Sequence, residues 1–236
     1  MITETKKCRI PGYTISVFAF SEMGQGKVEN QDSFGVYSDG KQVIVTVADG
    51  LGSAAYSKEG SQTIVSVAAD VLSHTDSYEN IANEVLKKWS ALIDGNANQY
   101  DTTLKFVKIT DNNVVYGGIG DGWIAFSDEN GLQSLTADNS FSNQTDSILS
   151  FDLRQKFTVK ELGTERFRIG VVATDGFSED IEKENALQML EEVESELLKN
   201  EESFISEMIR TLTNWPIETN CDDKTAVFIK VQKENN

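Results

Sequence analysis

Apolar positions along the chain change period in a readable order. Tyr13 to Phe20 alternates, with Tyr13, Ile15 and Val17 on one side and Thr14 and Ser16 on the other, as a strand requires. Ser33 to Tyr37 and Gln42 to Ala48 form a second pair of β-patterned runs, joined by Ser38-Asp39-Gly40-Lys41; Asp-Gly between β-formers predicts a hairpin. Tyr56 to Leu72 and Tyr78 to Ile93 then take helical spacing, the first with Ile64, Val65, Ala68 and Leu72 on one stripe. The β-pattern returns over Thr103 to Thr110, Val114 to Ile119, Trp123 to Ser127, Phe157 to Leu162 and Phe167 to Thr174. Two further helices are expected over Glu184 to Leu198 and Ser203 to Trp215, ending near Pro216, and a last strand over Lys224 to Val231. Strands come as antiparallel neighbours and helices as pairs, so the expected class is α+β: two stacked, mainly antiparallel sheets flanked by helix pairs. At 236 residues, with no repeat and no linker, residues 1–236 are read as one domain.

The hairpin permits a register calculation. A two-residue turn at Asp39-Gly40 pairs residues whose numbers sum to about 79, so Phe34 faces Val45 and Val36 faces Val43. Phe34, Val36, Val43, Val45 and Val47 then share a buried face, and by the same parity Asp32 and Asp49 extend it at one end. Their expected stagger is two residues, roughly 7 Å along the sheet. Two carboxylates at the edge of an apolar core raise each other's pKa or need a cation between them.

Other strand ends repeat this arrangement. Phe167 to Thr174 runs into Asp175-Gly176, Asp222 and Asp223 precede the strand from Lys224, and Asp121 lies in the tight Gly120-Asp121-Gly122 turn. With a single histidine, His74, read as a surface or capping residue, and with Cys8 and Cys221 offering no paired spacing, the donor set is oxygen-rich. Such a set suits a hard cation, Mg²⁺ or Mn²⁺, rather than Zn²⁺. Asp39-Gly40 and Asp94-Gly95 are read as a turn and a helix end, without a role in binding.

Composition narrows the partners. A formal charge of −17 repels phosphate backbones and anionic lipid surfaces, so neither nucleic acid nor membrane is expected. The opening MITETKKCRI lacks a secretory apolar core and no run approaches a membrane span, which places the expected location in the cytoplasm.

Six stretches in order carry more than any one of them: GKVENQDSFG, VTVADGLGSAAYSKEGS, YDTTL, YGGIGDGW, VVATDGFSED and CDDKTAVF. Together, from about Gly24 to Val231, they resemble the motif series of the metal-dependent protein phosphatases of type 2C. The resemblance implies a four-layer α-β-β-α sandwich and hydrolysis of phosphoserine and phosphothreonine in proteins, opposite a Ser/Thr kinase. It implies two Mg²⁺ or Mn²⁺ ions, and a third where related bacterial enzymes carry one. Asp49 resembles the carboxylate that bridges two metals and, with Asp32, the catalytic pair; Gly50 resembles the adjacent carbonyl ligand. Asp175 and Asp222 resemble ligands of the first metal, Asp32 the acid that holds water on a metal, and Asp121 a ligand of the third ion, shared with Asp175. A water bridging the cations would then attack phosphorus in line.

The departures are equally specific. Lys27 stands where the family usually has a phosphate-clamping arginine, so a point charge replaces a planar fork. Gln31 stands where a glutamate usually orders water, and Leu51 where many relatives have a histidine; Asp222 rather than Asp223 is read as the ligand, because Asp223-Lys224-Thr225 then fits the family's following Asn-x-Thr/Ser. The stretch 137–162 is short for the flap of many bacterial relatives. The changes at Lys27, Gln31 and Leu51 leave an alternative open, a weak or inactive pseudophosphatase serving as a regulatory binding module.

Overall fold

A computed structural model describes residues 1–128, 130–135, 145–199, 201–213 and 220–234. Eleven strands are found among them: β1 (Ile2–Ile10), β2 (Tyr13–Glu22), β3 (Asp32–Ser38), β4 (Val43–Asp49), β5 (Leu104–Ile109), β6 (Asn113–Ile119), β7 (Trp123–Asp128), β8 (Gly131–Leu135), β9 (Thr158–Gly163), β10 (Ile169–Ala173) and β11 (Lys224–Lys233). The helices are α1 (Ser57–His74), α2 (Ile81–Ser90), the short α3 (Leu153–Lys156) and α4 (Asp175–Ser178), α5 (Ala186–Lys199) and α6 (Glu201–Thr213). One sheet has the order β1-β2-β11-β10-β7-β8, the other β3-β4-β5-β6-β9, and every pairing is antiparallel.

Three apolar clusters give the four layers. Between the sheets lie Ile15, Val17, Val43, Val45, Val47, Val107, Ile109, Phe126, Val172, Val227 and Ile229, with Phe34 and Val36 against them. The outer face of the five-stranded sheet is covered by α1 and α2 through Ile64, Ala68, Leu72, Val85 and Trp89. The outer face of the other sheet is covered by α5 and α6 through Leu190, Val193 and Phe204, which meet Phe18, Phe177 and Phe228. Both faces of each sheet are therefore buried, which explains the continuous apolar runs in β5 and β10.

Two strands escape the hydrophobic pattern. β1 carries TETKK through its middle and buries only Cys8 and Ile10, as a charged edge strand does. Its turn into β2 is Pro11-Gly12, with Gly12 at φ +78°, a conformation glycine adopts without penalty. β8 is the opposite edge of that sheet. The expected helix end at Pro216, and part of the expected short flap over 137–162, fall outside the described residues.

The β3-β4 register differs from expectation. Asp32 pairs with Asp49, Phe34 with Val47 and Val36 with Val45, so the connection is four residues, Asp39 to Gln42. The Asp39 carboxylate accepts from the backbone N–H of Lys41 and Gln42 at 2.9 and 3.1 Å, building a side-chain turn that replaces the two-residue one. The shift is two residues, so facial parity survives; the stagger does not, and Asp32 and Asp49 stand directly opposite.

Helix α1 is seated by Gly60, whose carbonyl accepts from the Trp89 indole at 3.1 Å. A Cβ built on Gly60 would overlap the Tyr100 carbonyl oxygen. Glycine to alanine within a helix ordinarily stabilises by about 1 kcal/mol. Here Gly60→Ala is expected to destabilise by about 2 kcal/mol or more, because helix and loop must separate. Urea unfolding of both proteins checks the sign, and a more stable variant would refute the close seating.

Candidate metal centre

The carboxylates collect at one end of the sandwich, where strands of both sheets finish. Asp32 begins β3 and Asp49 ends β4. Asp32 is buried and accepts from the Thr174 hydroxyl at 2.8 Å, while its N–H donates to Asn30 Oδ1 at 3.0 Å. Burial pushes Asp32 up to about 7, with the Asp223 charge adding to it and the hydroxyls of Thr174 and Thr225 opposing. Asp49 is raised well above the usual carboxylate range by burial, then by the charges of Asp32, Asp175 and Asp222, and it shares a hydrogen bond with Asp32. Its backbone is clamped by the neighbouring strand: its N–H donates to Thr103 Oγ1 at 2.9 Å and its carbonyl accepts from Thr102 Oγ1 at 2.8 Å.

From the other sheet, β10 delivers Asp175 as the first residue of α4, where Oδ1 accepts from the Gly176 N–H at 2.7 Å. Burial and the charges of Asp121 and Asp222 push Asp175 up to about 6. Asp121 enters from the β6-β7 turn; its Oδ2 accepts from the Thr145 hydroxyl at 2.6 Å, and its Oδ1 is buried without a hydrogen-bond partner among the described residues. One oxygen each from Asp49, Asp121 and Asp175 lies within 4.8 Å of the others. Three carboxylates this close, with an orphaned buried oxygen among them, fit a hard divalent cation in both donor type and charge.

Asp222 and Asp223 open β11 with different surroundings. Asp222 is partly exposed and pairs with the Lys27 ammonium. It lies outside the group of three, but its charge is felt by both Asp49 and Asp175. The Asp223 side chain is fully buried and holds the β2-β3 loop at three points, accepting from Gly24 N–H at 2.8 Å, Gln31 N–H at 2.9 Å and Lys27 Nζ at 3.1 Å. Lys27 is thus held by two carboxylates, whose bonds outweigh the burial that alone would lower its pKa. Gln31 donates its side-chain amide to Ser57 Oγ at 2.6 Å, at the start of α1. Gly50 donates to the Gln31 carbonyl at 3.1 Å, and its lack of a Cβ lets it approach the Ser57 backbone.

Residues 23–215 match the model of a family described as Protein phosphatase 2C. The chain belongs to the protein phosphatase 2C family. No match is found among curated protein sequences. Among solved structures, RsbX with magnesium superposes with a TM-score of 0.66 at 18% identity, covering 98% of this chain and 100% of that one. Stp1 from Staphylococcus aureus gives 0.70 at 13%, with 97% and 99% covered. The catalytic domain of PstP, in complex with two manganese ions, gives 0.63 at 16%, with 93% and 99% covered. These likenesses are of fold, and they agree with the α-β-β-α layering. Family membership makes the chain a metal-dependent phosphoprotein phosphatase, as its six motifs imply.

Several residues that build the phosphatase site carry no signal of their own type. Thr102 and Thr103 lie within the YDTTL motif and hold Asp49, while Thr174, Thr225 and Thr145 hold Asp32 and Asp121. Threonines beside strand-end aspartates were the available clue. Lys105, on β5, is buried and donates to the Gly120 carbonyl at 2.9 Å; burial lowers it to about 8, against the Asp121 charge. Alternation alone would have put an apolar residue there. His74 is exposed on the last turn of α1, where its Nδ1 lies 2.9 Å from the Asp70 carbonyl, as expected of a surface residue.

The raised carboxylates imply a stability profile with a definite sign. Folded Asp32 and Asp175 hold protons up to about 7 and about 6, whereas their ordinary value is 3.8. The folded state binds more protons across that window, so stability falls as pH rises through it. Asp39 and Asp128 are shifted downward and act only below the window. In EDTA the protein is therefore expected to melt higher at about pH 5 than at about pH 8, and saturating Mn²⁺ is expected to flatten the slope. A melting temperature that climbs with pH in EDTA would refute the crowding.

Proposed function

We propose that this phosphatase removes phosphate from phosphoserine and phosphothreonine of proteins, using Mg²⁺ or Mn²⁺ held by its strand-end aspartates. The observation that carries the reading is the approach of Asp49, Asp121 and Asp175 to within 4.8 Å around an unpartnered Asp121 oxygen, in a chain of this family. In the proposed assignment two ions would share Asp49, with the Gly50 carbonyl beside it; Asp175 and Asp222 would hold the first, and Asp121 with Asp175 would hold a weaker third. Residues 1–236 act as one catalytic domain with a short flap over 137–162. The ions supply positive charge to the phosphoryl oxygens and acidify water.

The chain's own part is positioning. Asp32, fixed by Thr174, orients water at the Asp49 end of the site. Lys27 offers a point charge at the rim, with less directional grip on phosphate than a guanidinium has. Asp223 and Gln31 act behind these groups by holding the loop of residues 24–31 to β11. Leu51 has no proton to donate, so the leaving alkoxide takes its proton from water. A cleft of about 640 Å³ runs past Leu51, Thr145 and Phe151; the carboxylates that line it are Asp101, Asp146 and Asp152, not the metal-site aspartates.

Phosphoprotein substrates follow from the family, and opposition to a Ser/Thr kinase in the cytoplasm is our reading of its place. No helix among the described residues is long and apolar enough to cross a membrane. The charge of −17 argues against nucleic acid and anionic membrane as partners. The inactive-module alternative has no structural observation of its own, since Asp32, Asp49, Asp121, Asp175 and Asp222 are all kept.

Hydrolysis of p-nitrophenyl phosphate or a phosphothreonine peptide is expected to require added Mg²⁺ or Mn²⁺ and to stop with EDTA. Undiminished turnover in EDTA would end the reading. Asp49→Asn removes the shared charge while keeping shape, so activity is expected to drop by about two orders of magnitude or more. In EDTA the same variant is expected to melt no lower than wild type, because repulsion among the aspartates is relieved. A variant that keeps full activity would remove Asp49 from the bridging role.

A further inference from the structure

Lys105 is a buried cation that the proposed chemistry does not use. On β5 the side chains of Lys105, Val107 and Ile109 share one face by alternation; Val107 and Ile109 belong to the inter-sheet core, and Thr103, just before the strand, holds the Asp49 backbone. Lys105 therefore projects between the sheets at the end where the carboxylates gather. It is 4% exposed, and its ammonium donates at 2.9 Å to the carbonyl of Gly120, the residue before Asp121. The lysine stem also lies alongside the residue after Asp121: a Cβ on Gly122 would stand at ordinary contact distance from it, 3.4 Å from Lys105 Cγ and 3.6 Å from Cε. The lysine is threaded beneath the Gly120-Asp121-Gly122 turn, and its positive charge acts on Asp121.

An ammonium has three donors, and among the described residues Lys105 uses one on Gly120. Burying such a group is costly unless negative charge compensates it. Asp121 provides that charge, with one oxygen on Thr145 and the other buried and unpartnered. A divalent ion at the same carboxylate would meet a fixed positive charge nearby.

We propose that Lys105 is a resident cation of the Asp49–Asp121–Asp175 cluster, a positioning residue that offsets Asp121 and weakens divalent binding at that corner. It leaves this phosphatase to work with the ions at Asp49 and Asp222 while the Asp121 ion binds poorly. The inference rests on reading the cluster as a metal centre.

The test is Mn²⁺ titration by calorimetry of wild type, Lys105→Met, Asp121→Asn and the double variant, with Lys105→Gln added in case the methionine protein does not fold. Removing the charge is expected to tighten the weakest Mn²⁺ site about tenfold, a modest change for a like charge a few ångströms away. In the Asp121→Asn background the same removal is expected to change nothing, because that corner has lost the carboxylate that holds an ion for the ammonium to repel. An unchanged or weaker site in both neutral variants, or an effect that persists without Asp121, would overturn the role of Lys105 and leave the metal centre standing. Wild type without saturable Mn²⁺ binding would overturn the metal reading itself and this inference with it.

Discussion

Crowded negative charge is the constraint on which this molecule turns. Asp32 and Asp49 face each other across one sheet, Asp175 and Asp222 close in from the other, and Asp121 joins from a turn between. Like charges at such separations are unfavourable by several kcal/mol when shielded from water, and the group responds by holding protons or by gathering cations. Threonine hydroxyls hold the carboxylates in place, at Thr174 for Asp32 and Thr145 for Asp121, but hydroxyls carry no net charge. Only protons, metal ions or lysines can discharge the cluster. A fold that keeps it must draw the opposing free energy from elsewhere.

That source is the sandwich. The aspartates come from two sheets that share no strand, so the site exists only once the inter-sheet core has closed. Val43, Val45 and Val47 on one side and Val172, Val227 and Ile229 on the other are fully buried, each contributing about 1.5 to 3 kcal/mol on burial. The same strands continue directly into Asp49, Asp175 and Asp222. Folding therefore fixes the carboxylates, and a cation that binds them feeds its binding free energy back into the sandwich.

Much of this was legible along the chain, for reasons that differ by element. Thirteen helices and strands, including the β3-β4 pair, follow from apolar period, because both faces of each sheet and one face of each helix are covered. Parity placed Asp32 and Asp49 on the core face, since a two-residue error in register leaves every side chain on its own side. The error itself arose because Asp39 builds its turn with its side chain, a choice no β-propensity records. β1 was missed because an edge strand need not be apolar, and only Cys8 and Ile10 betray it. Lys105 was missed for the converse reason: a lysine in a strand reads as solvated unless the turn across from it is known.

The departures from the family's motifs make sense against the same charge balance. A glutamate at position 31 would add a negative charge beside Asp223 and could not donate to Ser57 Oγ, as the Gln31 amide does at 2.6 Å. Lys27 places its ammonium on Asp222 and Asp223 together, which a planar guanidinium could match only in a fixed orientation. Lys105 adds a second positive charge at the opposite side, under Asp121. Gln31 and Lys105 move the site away from net negative charge, Lys27 keeps the single positive charge that the family's arginine would carry, and all three side chains remain when ions leave. Such a site stands with less help from metal than a more acidic one would, and for that same electrostatic reason it must hold its ions less tightly.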